Sequence, residues 1–255
     1  MKRKLVAALA CRNQGTRLYG KPLQNLDVNN NVTILDNIVD CLKSIDCIED
    51  IVLGISEGIE NEIFKIIAKQ KGIKYIVGDQ TDVLSRLIQC GKLVDATDIL
   101  RVTSESPFPY YEIIQEAWGD HVKNVVDATF LDEIVDGCGF EIISLQALSI
   151  SHSKGKQKHR SELCTLYIRE NASEFNILRV GLSNKLIRKD LRLTVDNPED
   201  LVVCRHIYKQ FKDKAPNISV NDIVNFLDQN EELVKLVSPY TEIGYSTMYI
   251  FDENE

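Results

Sequence analysis

The chain has 255 residues, 44% apolar and 27% charged, the proportions of an ordinary soluble globule with room for one large domain or one domain and a small appendage. Its net charge of −8, with no long basic run, argues against a general nucleic-acid binder, and no apolar stretch approaches the length of a membrane span. Seven scattered cysteines, an odd number with no C-x-x-C, fit reduced thiols in the cytoplasm better than a disulfide framework or a zinc site.

Leu5 to Ala10 is a short apolar run and reads as a buried strand. With the basic residues before it and Cys11 after it, it also mimics a lipoprotein signal. The run is shorter than the roughly 7–15 apolar residues a signal needs, and cleavage there would delete the strand. The strand empties into a loop carrying Arg12, Gly15, Arg17, Gly20 and Lys21, closed by Pro22. Glycines let backbone N–H groups approach an anion and the cations supply charge-assisted bonds, so this is a recipe for holding phosphate. On composition alone it reads equally well as a basic surface loop. It is no Walker A loop, because the Gly-Lys pair lacks the following Ser or Thr, and there is no G-x-G-x-x-G.

Apolar residues at 34, 35, 38, 39 and 42 predict a helix over 33–45. A second buried strand is expected at 50–55, then an amphipathic helix over 61–71 closed by Gly72, and a short strand at 74–77. Gly78 to Ser85 starts the next helix with Thr81 as its expected N-cap, although no capping-box acid follows. Asp98 to Thr103 is the fourth strand. This β-α-β-α-β alternation predicts a mostly parallel sheet flanked by helices. Ligands of such sheets bind beyond the carboxyl ends of the strands, which singles out residues 12–21, 78–82 and 104–107.

The second half is less regular. Strands are expected at 122–128, 140–143 and 176–180, short helices at 146–151 and 161–171, and an exposed basic loop at 151–160. Tyr110 and Tyr111, after Pro109, begin a helix. Leu191 to Val195 reads as a strand running into Asp196-Asn197-Pro198-Glu199-Asp200. There Asn197 can cap, and Pro198 can open, a helix reaching about Phe211. After Pro216 the chain reads as a helical tail, with helices at 218–227 and 231–237. The four histidines (His121, His152, His159, His206) lack ligand spacing, no G-x-S-x-G elbow is present, and Cys11 reads as a packing residue despite the neighbouring cations.

Arg12 to Leu23 resembles the nucleotide-binding loop of the sugar-activating cytidylyltransferases, A-R-x-x-S-T-R-L-P-G-K-x-L. Relatives include the 3-deoxy-manno-octulosonate and sialic-acid enzymes and the spore-coat polysaccharide branch. Cys11, Gly15 and Tyr19 depart from that pattern. Three further blocks are similar: Gly78 to Arg86 to G-x-x-x-D-V-L-x-R, Arg101 to Pro107 to R-x-T-G-D-x-P, and Arg192 to Leu201 to R-L-T-V-D-x-P-E-D-L. A weaker one, Glu162 to Ile168, matches E-H-V-T-x-Y-I with Leu163 in place of His.

The resemblance implies a Rossmann-like nucleotide-diphospho-sugar transferase fold, with a nucleotidyltransferase domain at 1–215 and a helical extension at 216–255. An acceptor and dimerisation excursion is expected at about 122–190. Its apolar residues Val125, Val126, Phe130, Ile134 and Val135 have no obvious partner in the sheet, so a homodimer is expected. Mg²⁺-dependent transfer from CTP to a sugar, with pyrophosphate leaving, is the implied reaction, and the implied product a CMP-activated sugar acid of surface glycans. Arg12, Arg17 and Lys21 would act on the triphosphate. Ala10, Gly15, Thr16, Gly78, Asp82 and Arg86 would complete the nucleotide site. Glu162, Thr165 and Tyr167 would meet the acceptor. Glu105, where the family has Asp, and Asp196 would hold the metal. Partners would be small nucleotides and sugars, with neither nucleic acid nor membrane. The rival readings are an enzyme using a phosphorylated acceptor, and a nucleotide-binding module without turnover.

Overall fold

The computed structural model describes residues 2–247. Seven strands form the main sheet: β1 (Leu5–Cys11), β4 (Ile48–Ser56), β5 (Lys74–Gly78), β6 (Asp98–Arg101), β7 (Ala128–Phe130), β8 (Glu141–Ser144) and β9 (Ile177–Arg179), in the order β5-β4-β1-β6-β8-β7-β9. β2 (Asn25–Asp27) and β3 (Val32–Thr33) make a separate antiparallel pair. β1 is central and runs parallel to β4 and β6, with Leu9 beside Leu53 and Ala7 beside Leu100. β8 is the one antiparallel member of the seven-stranded sheet, set between β6 and β7.

Both faces of β1 are covered, as its uninterrupted apolar sequence requires. Leu5, Ala7, Leu9 and Cys11 face one core, with α1 (Ile34–Lys43), α2 (Glu62–Lys71) and α8 (Pro198–Gln210); Val6 and Ala8 face the other, with α3 (Val83–Leu93) and α5 (Leu145–Lys154). The remaining helices are α4 (Ile114–Lys123), α6 (Gln157–Arg160), α7 (Leu166–Glu170), α9 (Val220–Asp228) and α10 (Glu231–Thr247). Ile223, Val224, Leu227, Leu233 and Val237 of α9 and α10 are buried in the first core, so the helices after 216 share the main domain's interior. Residues 248–255 of the expected extension lie outside the described residues.

Local chemistry explains several boundaries. Thr33 and Asp36 exchange hydrogen bonds in a capping box that starts α1, and Gly72, left-handed at φ 64°, ends α2. The N-cap of α3 is Asp82, whose carboxylate accepts from the Ser85 N–H at 2.8 Å; Thr81 instead donates its hydroxyl to Asp79. At α8 Asn197 is the N-cap ahead of Pro198, as expected, and Asp200 completes a capping box, accepting from the backbone N–H groups of Asp196 and Asn197 at 2.9 and 2.8 Å.

Four expectations for the second half are corrected. Val122 and Lys123 finish α4, and the strand expected from 122 begins at Ala128 after a turn in which Val125 takes φ 51°. The basic segment 151–160 is no loop: it holds the end of α5 and all of α6, with His159 buried against Glu170 at 2.8 Å. The helix expected over 161–171 shrinks to α7. Leu191 to Val195 makes no strand, only a bridge between Arg192 and Asp136, because it threads between two loops instead of along a strand. The apolar residues assigned to dimerisation are also largely satisfied within the chain. Val126, Phe130, Ile134 and Val135 are buried, and Val125 alone of the five is exposed, at 72%.

Candidate active site

A cleft of about 770 Å³ opens where β1 and β6 end, between the 12–21 loop on one side and residues 131–141 and 162–163 on the other. The loop's shape depends on its glycines. A Cβ on Gly15 would stand 2.3 Å from the Leu18 carbonyl oxygen, and Gly20 has φ 60°, letting its N–H reach the Asn13 carbonyl at 2.8 Å. Buried Asn61 moors the loop by accepting from the Asn13 N–H at 2.8 Å. Sequence reading saw Asn61 only as a helix start.

The three predicted cations converge on acids carried by the second half. Arg12 Nη2 lies 3.2 Å from Glu162 Oε2, Arg17 Nη2 lies 3.1 Å from Asp196 Oδ1, and Lys21 Nζ bonds the same Asp196 oxygen. Buried Arg192 holds the other Asp196 oxygen and also pairs with Asp136 at 2.6 Å and Asp200 at 3.1 Å. Burial opposes charge on Asp196, but Lys21, Arg192 and Arg17 outweigh it and hold its carboxyl below the ordinary value. Glu105 meets Asp196 across the cleft floor, because the Val195 N–H donates to the Glu105 carbonyl at 3.0 Å. Burial pushes the Glu105 carboxyl up and Asp196 adds to the push, against Lys21.

Of the other predicted residues, Ala10, Gly15, Thr16, Arg86 and Glu162 line the cleft. Arg86 is buried and donates to the Gly54 carbonyl at 2.8 Å and the Cys11 carbonyl at 3.3 Å, bracing the ends of β4 and β1. Gly78 and Asp82 stand outside the cleft. Gly78 leaves room for Arg86, whose Cγ would be 2.9 Å from an added Cβ, and Asp82 caps α3 and meets His152 Nε2 at 2.7 Å. Thr165 and Tyr167 are buried behind the cleft side formed by residues 131–141. Thr165 donates to Glu141 at 2.6 Å, and Tyr167 packs edge-on against His159 and Phe175. Cys11 is a packing residue, its thiol pushed up to about 12 by burial. Asp136, Glu141 and Arg192 were not singled out as site residues, since non-local ion pairs leave no periodic trace.

Among the described residues no group of three or more His, Cys, Asp or Glu is placed to hold a metal ion, and no helix is long and apolar enough to cross a membrane. What the cleft offers is a cationic loop facing two carboxylates at the carboxyl edge of a parallel sheet. That defines a nucleotidyltransferase. The model of the cytidylyltransferase family matches residues 7–243, and the chain belongs to that family, enzymes that transfer a cytidylyl group from CTP. The match includes α9 and most of α10.

Relatives agree along nearly the whole length. The chain is 25% identical over 242 residues to an uncharacterised protein of Methanocaldococcus jannaschii, covering 95% of this chain and 98% of that one. It is 24% identical over 229 residues to the spore coat polysaccharide biosynthesis protein SpsF of Bacillus subtilis, covering 88% and 94%. Among solved structures, a cytidylyltransferase from Leptospira borgpetersenii superposes with a TM-score of 0.83 at 20% identity over 98% of this chain and 100% of that chain. A CMP:2-keto-3-deoxy-manno-octonic acid synthetase complexed with CTP gives 0.61 at 13% identity over 81% and 99%. These likenesses place the chain in the nucleotide-diphospho-sugar transferase fold expected from the sequence.

Proposed function

We propose that the enzyme joins CMP to a hydroxyl of a sugar acid used in surface polysaccharides, releasing pyrophosphate, in the cytoplasm and as a homodimer. The observation that carries the reading is the meeting of Lys21 and Arg17 with Asp196 beside Glu105, which gathers phosphate-binding cations and hard oxygen donors at one point. Arg12, Arg17 and Lys21 take the triphosphate, and Lys21 opposes the charge that grows on the leaving pyrophosphate. Glu105 and Asp196 suit Mg²⁺, which favours one or two carboxylates plus substrate phosphates. Once Lys21 and Arg17 turn to the triphosphate, the two carboxylates are left needing a cation, which a bound Mg²⁺ would supply while polarising phosphoryl oxygens.

A free hydroxyl acceptor is favoured over a phosphate ester by the acceptor wall. Its carboxylates already occupy the arginines there: Asp132 with Arg169 and Arg179, Glu141 with Arg101 and Arg169. The name of SpsF supports a polysaccharide role, and the named substrate of the octonic acid synthetase supports a sugar acid. Seven unpaired cysteines suit a reducing compartment. Exposed Val125 marks where a second copy could be held.

The test is pyrophosphate release, measured with each of four nucleoside triphosphates against a panel of sugar acids and sugar phosphates. CTP with a sugar acid should be active, fall silent with a chelator and recover with Mg²⁺. Release with sugar phosphates alone would replace this reading by the phosphorylated-acceptor one, and indifference to the chelator would remove the metal.

A further inference from the structure

We propose that Asp136 is the general base that takes the proton from the acceptor hydroxyl as its oxygen attacks the α-phosphorus; this rests on the hydroxyl-acceptor reading above. Asp136 belongs to the loop between β7 and β8 and lies on the cleft wall, 6% exposed. Two backbone features fix it there. The Leu193 N–H donates to its carbonyl at 2.7 Å. Its neighbour Gly137 has φ 93°, and any Cβ at that position would come within 2.4 Å of the Thr194 nitrogen. The loop can lie against the 192–196 segment only with glycine at 137.

The side chain is placed as firmly. One guanidinium, that of Arg192, holds Asp136 Oδ2 through Nη1 at 2.6 Å and Asp196 Oδ2 through Nη2. A planar, rigid fork thus sets two carboxylates side by side. Asp196 meets Lys21 and Arg17, the cations proposed to take the triphosphate, so Asp136 would stand on the wall neighbouring a reacting phosphate held by them. Its second oxygen, Oδ1, makes no hydrogen bond among the described residues and is available to the cleft.

The two carboxylates are divided in chemical character. Asp196, ringed by three cations, is held low and is a poor proton acceptor. Burial pushes the Asp136 carboxyl up to about 6 against the pull of Arg192, and Asp196 and Asp200 push the same way. Neighbouring groups pushed apart in this way are how a site divides its acid–base work from its electrostatic work. Of the two carboxylates, Asp136 is the one suited to accept a proton. Glu105, whose carboxyl burial also pushes up, is the rival, but it faces Lys21, which pulls the other way. In the step, the acceptor O–H bond breaks and its proton passes to Asp136 Oδ1. The oxygen bonds to Pα as the Pα–O bond to pyrophosphate breaks, with the leaving charge met by Lys21 and Arg17. The proton returns to solvent after product leaves.

Asp136→Asn keeps the shape and an acceptor for Arg192 but removes the base. With a sugar that the wild type turns over, kcat should fall about a hundredfold or more, and the calorimetric Kd for CTP should stay within about threefold. The acid limb of the kcat–pH profile should vanish, and an acceptor with a more acidic hydroxyl should recover part of the loss. Asp136→Glu, a second route should the first variant fold poorly, should keep the pH limb at reduced rate. A limb that persists in Asp136→Asn, or one that disappears in Glu105→Gln and not in the Asp136 variants, overturns the proposal. Wild-type turnover of phosphorylated acceptors alone overturns the underlying reading instead.

Discussion

Residues 5–101 and residues 126–196 are held together by different physics. In the first region, main-sheet strands of four to nine residues carry the core, with β1, β4 and β6 burying apolar side chains on both faces. Ion pairs such as Lys71 with Asp36 at 3.0 Å and Asp40 at 2.8 Å sit at the periphery. In the second, the strands have three or four residues and offer little apolar surface. Buried arginines bind the chain there. Arg169 takes Asp132 through both nitrogens at 2.9 and 2.7 Å, reaches Glu141 at 2.9 Å and lies 3.8 Å from the centre of the Phe130 ring. Arg192 ties Asp136 of the β7–β8 loop to Asp196 and Asp200 at the start of α8. Such forks are directional, so they can fix loops where no ladder of backbone bonds exists. The first region sets a cationic loop at its strand ends, and the second lines the facing side of the cleft with paired charges.

The largest expected effect tests this contrast directly. Arg169→Ala leaves Asp132 and Glu141 in the interior without their main partner, which should cost about 3–5 kcal/mol and lower Tm by about 10 °C or more. Lys71→Ala removes two partners near the surface and should cost within about 1 kcal/mol. Thermal melts of both variants decide it. Equal losses would mean that charge organises the two regions alike.

Next comes Lys21, which belongs to the regular region but acts on an acid from the irregular one. Lys21→Ala removes a donor whose worth grows in the transition state, for a loss of about two to three orders of magnitude in kcat. Arg17 and Arg192 still hold Asp196, so the melting temperature should barely move. A folded Lys21→Ala enzyme with full turnover would reduce the loop to a basic surface feature.

The same contrast explains what could be read in advance. Hydrophobic periodicity located β1, α1, α2 and β4 to within a few residues, because each buries a regular face. The anion loop was legible from its cations and glycines. The motif blocks singled out Asp196, but the strand expected to place it does not form, and its pairing with Lys21 and Arg17 was not foreseen. Position in a motif did not tell which way a side chain faces, and so Thr165 and Tyr167 were assigned to the acceptor although they support the wall from behind. Val122 to Ala128 looked like a strand because an apolar run carries no information about a helix ending within it. Asp136 stayed invisible for a deeper reason. Its role comes from Arg192, and a contact between residues 56 positions apart has no local signature.

The smallest expected effect concerns the pair that spans the two regions. Arg12 of the anion loop and Glu162 of the acceptor wall meet at 3.2 Å with side chains 46% and 72% exposed. An ion pair so open to water is worth about 0.2–1 kcal/mol, or at most about fivefold in an equilibrium. Triphosphate binding must draw Arg12 away from Glu162, so the pair competes with CTP. Glu162→Gln should therefore tighten CTP binding by about two- to fivefold at low salt, with the gain fading as salt screens both interactions. If Glu162 serves only as this counter-charge, KM for the sugar will not change. A tenfold or larger rise in that KM, with CTP binding unaltered, would make Glu162 the acceptor ligand that its motif implies. The acceptor wall would then reach from its buried arginines out to the mouth of the cleft.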